Sequence, residues 1–175
     1  MLNTIFKTFI ATVLLMSFGS YRAVAEHDDD HDHDTQRPEL VIIKDARDVA
    51  QLAESRNLPI LIMFGTDECP YCELLKEEFL IPMIISGDYT DKILLREAYV
   101  EAGASIINFS GKEVTIDDFI SQYEVRLFPT MVFVDSKGKQ LVEKIIGITT
   151  PSLFGGTLDD QIDKALLYTR KRFPE

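Results

Sequence analysis

The chain has 175 residues and a mean hydropathy near zero, which bounds it to one compact domain able to bury its own core. Asp and Glu number 29 against 18 Lys and Arg, a formal charge of −11; this excludes the basic footprint of nucleic-acid binding and an electrostatic grip on a membrane surface. Only two cysteines are present and all three histidines precede Asp34, so neither a disulfide-stapled scaffold nor a Ser-His, Cys-His or His-metal catalytic site within the domain is available.

Residues 1–25 read as a secretory signal peptide. Lys7 supplies the positive flank, Thr8 to Phe18 an apolar run too short to span a bilayer, and Ala23-Val24-Ala25 a small-x-small cleavage site. Cleavage after Ala25 sends the mature chain to an oxidising, periplasmic compartment where a disulfide persists. Residues 26–38 form a leader. Glu26 to Asp34 holds six acids and three histidines and no apolar side chain, a composition that stays disordered. His27, His31 and His33 with the carboxylates could tether a divalent metal; a solvated spacer is the plainer reading.

Residues 39–175 carry the domain. Glu39 to Ile43 reads as a short edge strand, and Asp45 caps a helix with Val49, Leu52 and Ala53 on one face, stopped at Asn57. Pro59 to Gly65 is a continuous apolar run, as in a strand buried on both faces. A helix starts near Pro70 and is expected to end at Pro82. Lys92 to Val100 is the next candidate strand, although its pattern alone also suits a helix. Thr115 and Asp118 form a capping pattern for a helix bearing Phe119, Ile120 and Tyr123. Thr130 to Val134, the turn at Asp135 to Gly138, and Leu141 to Ile146 read as a β-hairpin. Thr157 with Asp160 is expected to cap a last helix, whose C-terminal end carries Arg170, Lys171 and Arg172. Interleaved strands and helices imply an α/β fold with a central mixed sheet covered on both faces.

Cys69-Pro70-Tyr71-Cys72 follows the buried strand and opens a helix. A thiolate placed there meets unpaired N–H groups and the positive end of the helix dipole, and both lower its pKa. Cys69, nearer the tip, is the expected nucleophile; Cys72, one turn in, is the resolving thiol. Pro70 suits an early helical position because it has no N–H to satisfy. A purely structural disulfide three residues apart would close too small a loop to stabilise much, and a zinc site lacks its other ligands within the domain.

With these residues in view, 39–172 resembles the thioredoxin superfamily, and within it the exported bacterial thioredoxin-like proteins associated with sulfur oxidation (SoxW/SoxS-like). The likeness rests on LIMFGTDECPYC, on YEVRLFPTMVFVDSKGK, on the strand reaching Gly147, and on the stretch Asn108 to Val114 before a capped helix. It implies a thioredoxin fold and a thiol–disulfide oxidoreductase needing no cofactor. Phe128-Pro129-Thr130 would occupy a cis-proline loop beside the cysteines. Phe128 and Tyr71 would contact substrate, and Gly147 would complete the same groove. Three departures stand out. Cytoplasmic thioredoxins carry a buried aspartate six residues before the first cysteine, and here that position is Met63. The proton acceptor for the resolving thiol is thus unassigned, with water left for the role. Glu68 replaces the usual aromatic residue, and the Pro-Tyr pair occurs without the pattern of a glutathione site.

Asp67, Glu68 and Glu73 oppose the dipole's stabilisation of a thiolate, which points to an intermediate or reducing potential. The expected activity is reduction of disulfides in exported proteins, with a membrane electron donor for recycling. No dimerisation segment is visible, so a monomer is expected. The alternatives are an oxidase or isomerase of the same fold, or a metal-binding carrier using the histidine leader.

Overall fold

A computed structural model of the chain describes residues 37–172. The signal-peptide reading and the leader reading up to residue 36, including His27, His31 and His33, lie outside the described residues. The elements are β1 (Val41–Ile42), α1 (Ala46–Arg56), β2 (Ile60–Gly65), α2 (Pro70–Leu75), a π-helical turn (Lys76–Leu80), α3 (Ile81–Ser86), β3 (Leu94–Tyr99), β4 (Ser105–Ile107), β5 (Glu113–Thr115), α4 (Ile116–Gln122), β6 (Thr130–Val134), β7 (Ile145–Ile146) and α5 (Pro151–Arg172).

The main sheet has the order β1-β3-β2-β6-β7. β3 runs parallel to both β1 and β2, and β6 runs antiparallel to β2 and β7. The fold is therefore the expected mixed α/β sheet with helices on both faces. β2 is its centre, and all six of its residues are buried. Because successive side chains point to opposite faces, this one strand feeds two cores. Ile60, Ile62 and Phe64 join Val49 and Ala53 of α1 and Phe119 of α4. Leu61 and Met63 join Cys72, Leu75, Leu80 and Met83 of the α2–α3 segment and Leu158, Ile162 and Ala165 of α5.

Local signals act as their chemistry dictates at several ends. The Asp45 carboxylate accepts the Arg47 N–H at 2.9 Å, and Asn57 closes α1 in the left-handed conformation at φ 52°. Thr115 Oγ1 accepts the Asp118 N–H at 3.1 Å.

Three expectations are corrected and one stretch gains a hairpin. Pro82 does not end its helix. The chain first widens into the π turn, where the Ile81 N–H bonds to the Lys76 carbonyl, and Pro82 then sits in the first turn of α3, where a missing N–H costs nothing. The stretch Asn108 to Val114, read only as preceding a capped helix, holds the turn and the start of the second strand of a β4–β5 hairpin, with Asn108 Oδ1 accepting from the N–H groups of Ser110 and Lys112, each at 3.0 Å. The hairpin read over 130–146 pairs only at its ends. Val134 bridges Gln140, and Ile145–Ile146 pair with Met131 and Thr130. Between those points the returning chain is the longer and bulges, with Lys144 donating to the carbonyls of Tyr123 and Glu124. Finally, α5 starts at Pro151 rather than Thr157. The Leu153 N–H bonds to the Thr150 carbonyl, and Thr157 lies inside the helix with its hydroxyl donating to Leu153.

Candidate active site

β2 ends at Gly65 and delivers the chain into the Thr66–Glu68 loop, which is tied to the neighbouring strand end. The Thr66 hydroxyl donates to the Val100 carbonyl at 3.1 Å. The Tyr99 hydroxyl hydrogen-bonds Asp67, which pushes the tyrosine pKa up to about 12. Glu68 adopts a positive φ of 54°, a conformation non-glycine residues rarely hold. It turns the backbone so that Cys69 becomes the N-cap of α2.

Cys69 and Cys72 are joined by a disulfide, with Cα atoms 5.2 Å apart. Cys69 Sγ accepts the Cys72 N–H at 3.2 Å, and the Cys69 carbonyl accepts the N–H groups of Cys72 and Glu73. In the reduced protein a thiolate on Cys69 therefore faces an N–H of the helix's first turn, an arrangement that favours ionisation. Cys69 is half-buried, whereas Cys72 is 1% exposed. One sulfur can be approached from outside and the other only through it.

The Phe128–Pro129 peptide is cis. β6 starts at Thr130, which pairs with Phe64 near the end of β2, so this turn sits at the same sheet end from which the Cys69 loop leaves. Cys69 and Phe128 both pack against the cluster that contains Cys72 and Met63. The Pro129 carbonyl accepts the Gly147 N–H at 2.8 Å, joining the β6 and β7 sides of the groove. Tyr71 points outward from α2 and is 62% exposed. Met63 is fully buried beneath Cys72.

The structure adds residues that sequence reasoning passed over. Leu127 and Ile146, chain neighbours of Phe128 and Gly147, are large apolar side chains left exposed, Leu127 by 63%. Lys76 places Nζ 2.7 Å from Glu73 and 3.8 Å from Glu97, so one of the carboxylates opposing a thiolate is already paired. Glu97 of β3 is buried against the same region. Its signal was an acid on the same strand face as the buried Leu95, in a run, Leu94 to Tyr99, whose other charged residue is Arg96. Among the described residues no cluster of His, Cys, Asp and Glu could hold a metal ion.

A family model described as a thioredoxin-like domain matches residues 46–162. The chain belongs to the thioredoxin-like family. No curated protein matches it. Among solved structures, it is similar to a protein named DsbH oxidoreductase, at 17% identity and a TM-score of 0.53, over 75% of this chain and 88% of that one. It is also similar to mitochondrial thioredoxin 3 of Saccharomyces cerevisiae in its oxidised form, at 22% identity and a TM-score of 0.46, over 69% and 94% of the two chains. A thioredoxin-like protein of Clostridium perfringens has 22% identity and a TM-score of 0.45, over 77% and 90%. This thioredoxin-like chain thus combines an oxidoreductase fold with a bonded Cys69–Cys72 pair.

Proposed function

We propose that this protein is a periplasmic thiol–disulfide oxidoreductase that reduces disulfides of exported proteins through Cys69 and Cys72. The observation that carries the reading is the asymmetry of the pair, with a reachable Cys69 sulfur bonded to the first turn of a helix and a buried Cys72 behind it. The Cys69 thiolate attacks one sulfur of a substrate disulfide, and the other sulfur leaves as a thiol. Cys72 then attacks Cys69, which re-forms the internal disulfide and releases the second substrate thiol. Phe128, Tyr71 and the exposed Leu127 and Ile146 offer the apolar rim against which an extended substrate segment rests.

The reductive direction is supported by the charge balance. Asp67 and Glu68 stand exposed beside the nucleophile, and a carboxylate lies in the region behind Cys72, so the dithiol is stabilised less than in a strong oxidant. The N-terminal sequence pattern supports export, and a membrane electron donor would return the disulfide to the dithiol. The acidic surface favours partners that are neutral or basic around their cysteines, and kinship with the sulfur-oxidation subgroup would place such partners among exported sulfur-handling proteins.

Trapping tests the proposal. Cys72→Ser should accumulate mixed disulfides with its substrates, visible as adducts that dithiothreitol releases, whereas Cys69→Ser should form none. Identical behaviour of the two variants would exclude exchange. Equilibration with glutathione buffers should give a potential nearer the thioredoxin value of about −270 mV than the roughly −120 mV of strong oxidants; the latter would reverse the direction.

A further inference from the structure

The resolving step needs Cys72 to lose a proton in a buried setting, and the position six residues before Cys69 is Met63, which cannot accept one. The parallel register of β2 and β3 places Glu97 directly opposite Met63. Glu97 is 6% exposed, an unusual place for a carboxyl group. Gly65 shows what it faces. A Cβ built there would lie 3.3 Å from Glu97 Oε1 and 3.6 Å from Cys72 Sγ. The carboxylate and the sulfur are therefore no farther apart than those two distances laid end to end, with the Met63 Cε methyl 2.9 Å from the same point.

We propose that Glu97 is the proton acceptor for Cys72 in the resolving step. The inference rests on the exchange reading above and assigns the group that reading leaves open. In the mixed disulfide, the Cys72 thiol gives its proton to Glu97, directly or through one water. The Cys72 sulfur then bonds to Cys69 Sγ and breaks the bond from Cys69 to substrate. The substrate sulfur departs as a thiolate and takes a proton from solvent, so the enzyme dithiol is oxidised by two electrons and the substrate disulfide is reduced by two. Glu97 returns its proton through a cavity of about 280 Å³ lined by Glu39, Glu73, Lys76, Glu77 and Tyr99.

The charged groups around Glu97 suit this role. Burial raises its pKa most, the Lys76 ammonium lowers it, and the Glu73 and Glu39 carboxylates raise it further. The net direction is upward from the ordinary carboxylate value, which makes the group a stronger proton acceptor. Lys76 also bonds Glu73 from the same side, so the alternative role for Glu97 is that of a structural partner to Lys76 alone.

The test uses the reduced full-length protein and glutathione disulfide, with acid quenching and mass spectrometry to follow the Cys69–glutathione adduct over pH 5–9. In Glu97→Gln the adduct should still form, no more slowly than in wild type, and decay roughly tenfold to a hundredfold more slowly at neutral pH. The decay profile should lose the inflection belonging to Glu97 and follow ionisation of the buried Cys72 thiol alone, whose pKa burial raises. Glu97→Asp should restore part of the rate. Gly65→Ala, which leaves the carboxyl intact but sets a methyl against Glu97 Oε1 and Cys72 Sγ and displaces the Met63 Cε methyl, should also slow decay; it carries the test if Glu97→Gln does not fold. Lys76→Met should keep the inflection and move it upward. Decay in Glu97→Gln that matches wild type at every pH overturns the assignment, as does an unchanged inflection. A wild-type protein that forms no adduct overturns the exchange reading instead.

Discussion

Phe64→Ala probes the division of the molecule into two cores on either side of β2. The Phe64 side chain is fully buried, with its ring centroid 5.9 Å from Phe119 and 5.7 Å from Tyr123. Truncation of a buried Phe costs about 3–5 kcal/mol, part of it from ring pairs worth roughly 0.5–1.5 kcal/mol each. A domain has about 5–15 kcal/mol in total, so a large share of the stability would go, with a fall in Tm of roughly 10–20 °C. Urea unfolding of the oxidised and the dithiothreitol-reduced protein measures the loss in each form. Phe64 belongs to the core of α1 and α4, while Cys72 belongs to the other, so the two losses should be equal. About 30 mV corresponds to 1.4 kcal/mol for this couple; the midpoint potential should therefore stay within roughly 10 mV of wild type. Met63→Ala, on the sulfur's side, is the contrast and should shift the potential. A loss below about 1.5 kcal/mol in Phe64→Ala, or a potential shift beyond about 30 mV, would refute the separation.

Gly138 has a φ of 74°, and a Cβ there would come within 2.4 Å of the Phe109 ring. Gly138→Ala should cost the roughly 1–2 kcal/mol of a left-handed alanine plus the displacement of Phe109, whereas Gly147→Ala, at φ 65° with nothing near its Cβ, should cost the conformational part alone; equal thermal shifts for the two would contradict the packing at Phe109. Tyr89 donates to Asp159 at 2.6 Å, and that bond first, then burial, pushes its pKa up to about 12 from 10.0. The folded state holds this proton more tightly than the unfolded one, so the contribution is fully present below pH 10 and is lost as pH rises through 12. Urea midpoints should fall more steeply over that interval in wild type than in Tyr89→Phe, and parallel curves would show that the bond does not survive in solution.

How much of this was legible in the chain can be judged residue by residue. The Pro59 to Gly65 run announced a doubly buried strand because every side chain in it is apolar; Asn57 announced a helix end because asparagine tolerates the left-handed conformation, and Thr115 because its hydroxyl caps a backbone N–H three residues on. The cysteine pair announced its setting for the same reason, since a strand end, an N-cap and a proline are all local facts. Pro82 misled because a helix can widen by a π turn ahead of a proline, and that choice depends on how Leu80 and Met83 pack against the sheet.

By itself the sequence determined the alternation of helices with the strands of the main sheet, the CPYC junction and which residue types lie near the nucleophile in the chain; it did not show the β4–β5 hairpin. The tertiary structure alone decided that Glu97, on another strand, lies beside Cys72 and that Lys76 reaches between two carboxylates. Alternation tells which face of a strand a side chain takes but not which partner residue stands opposite. That register is set by two cores closing on both faces of β2 at once, a condition no local stretch of chain contains.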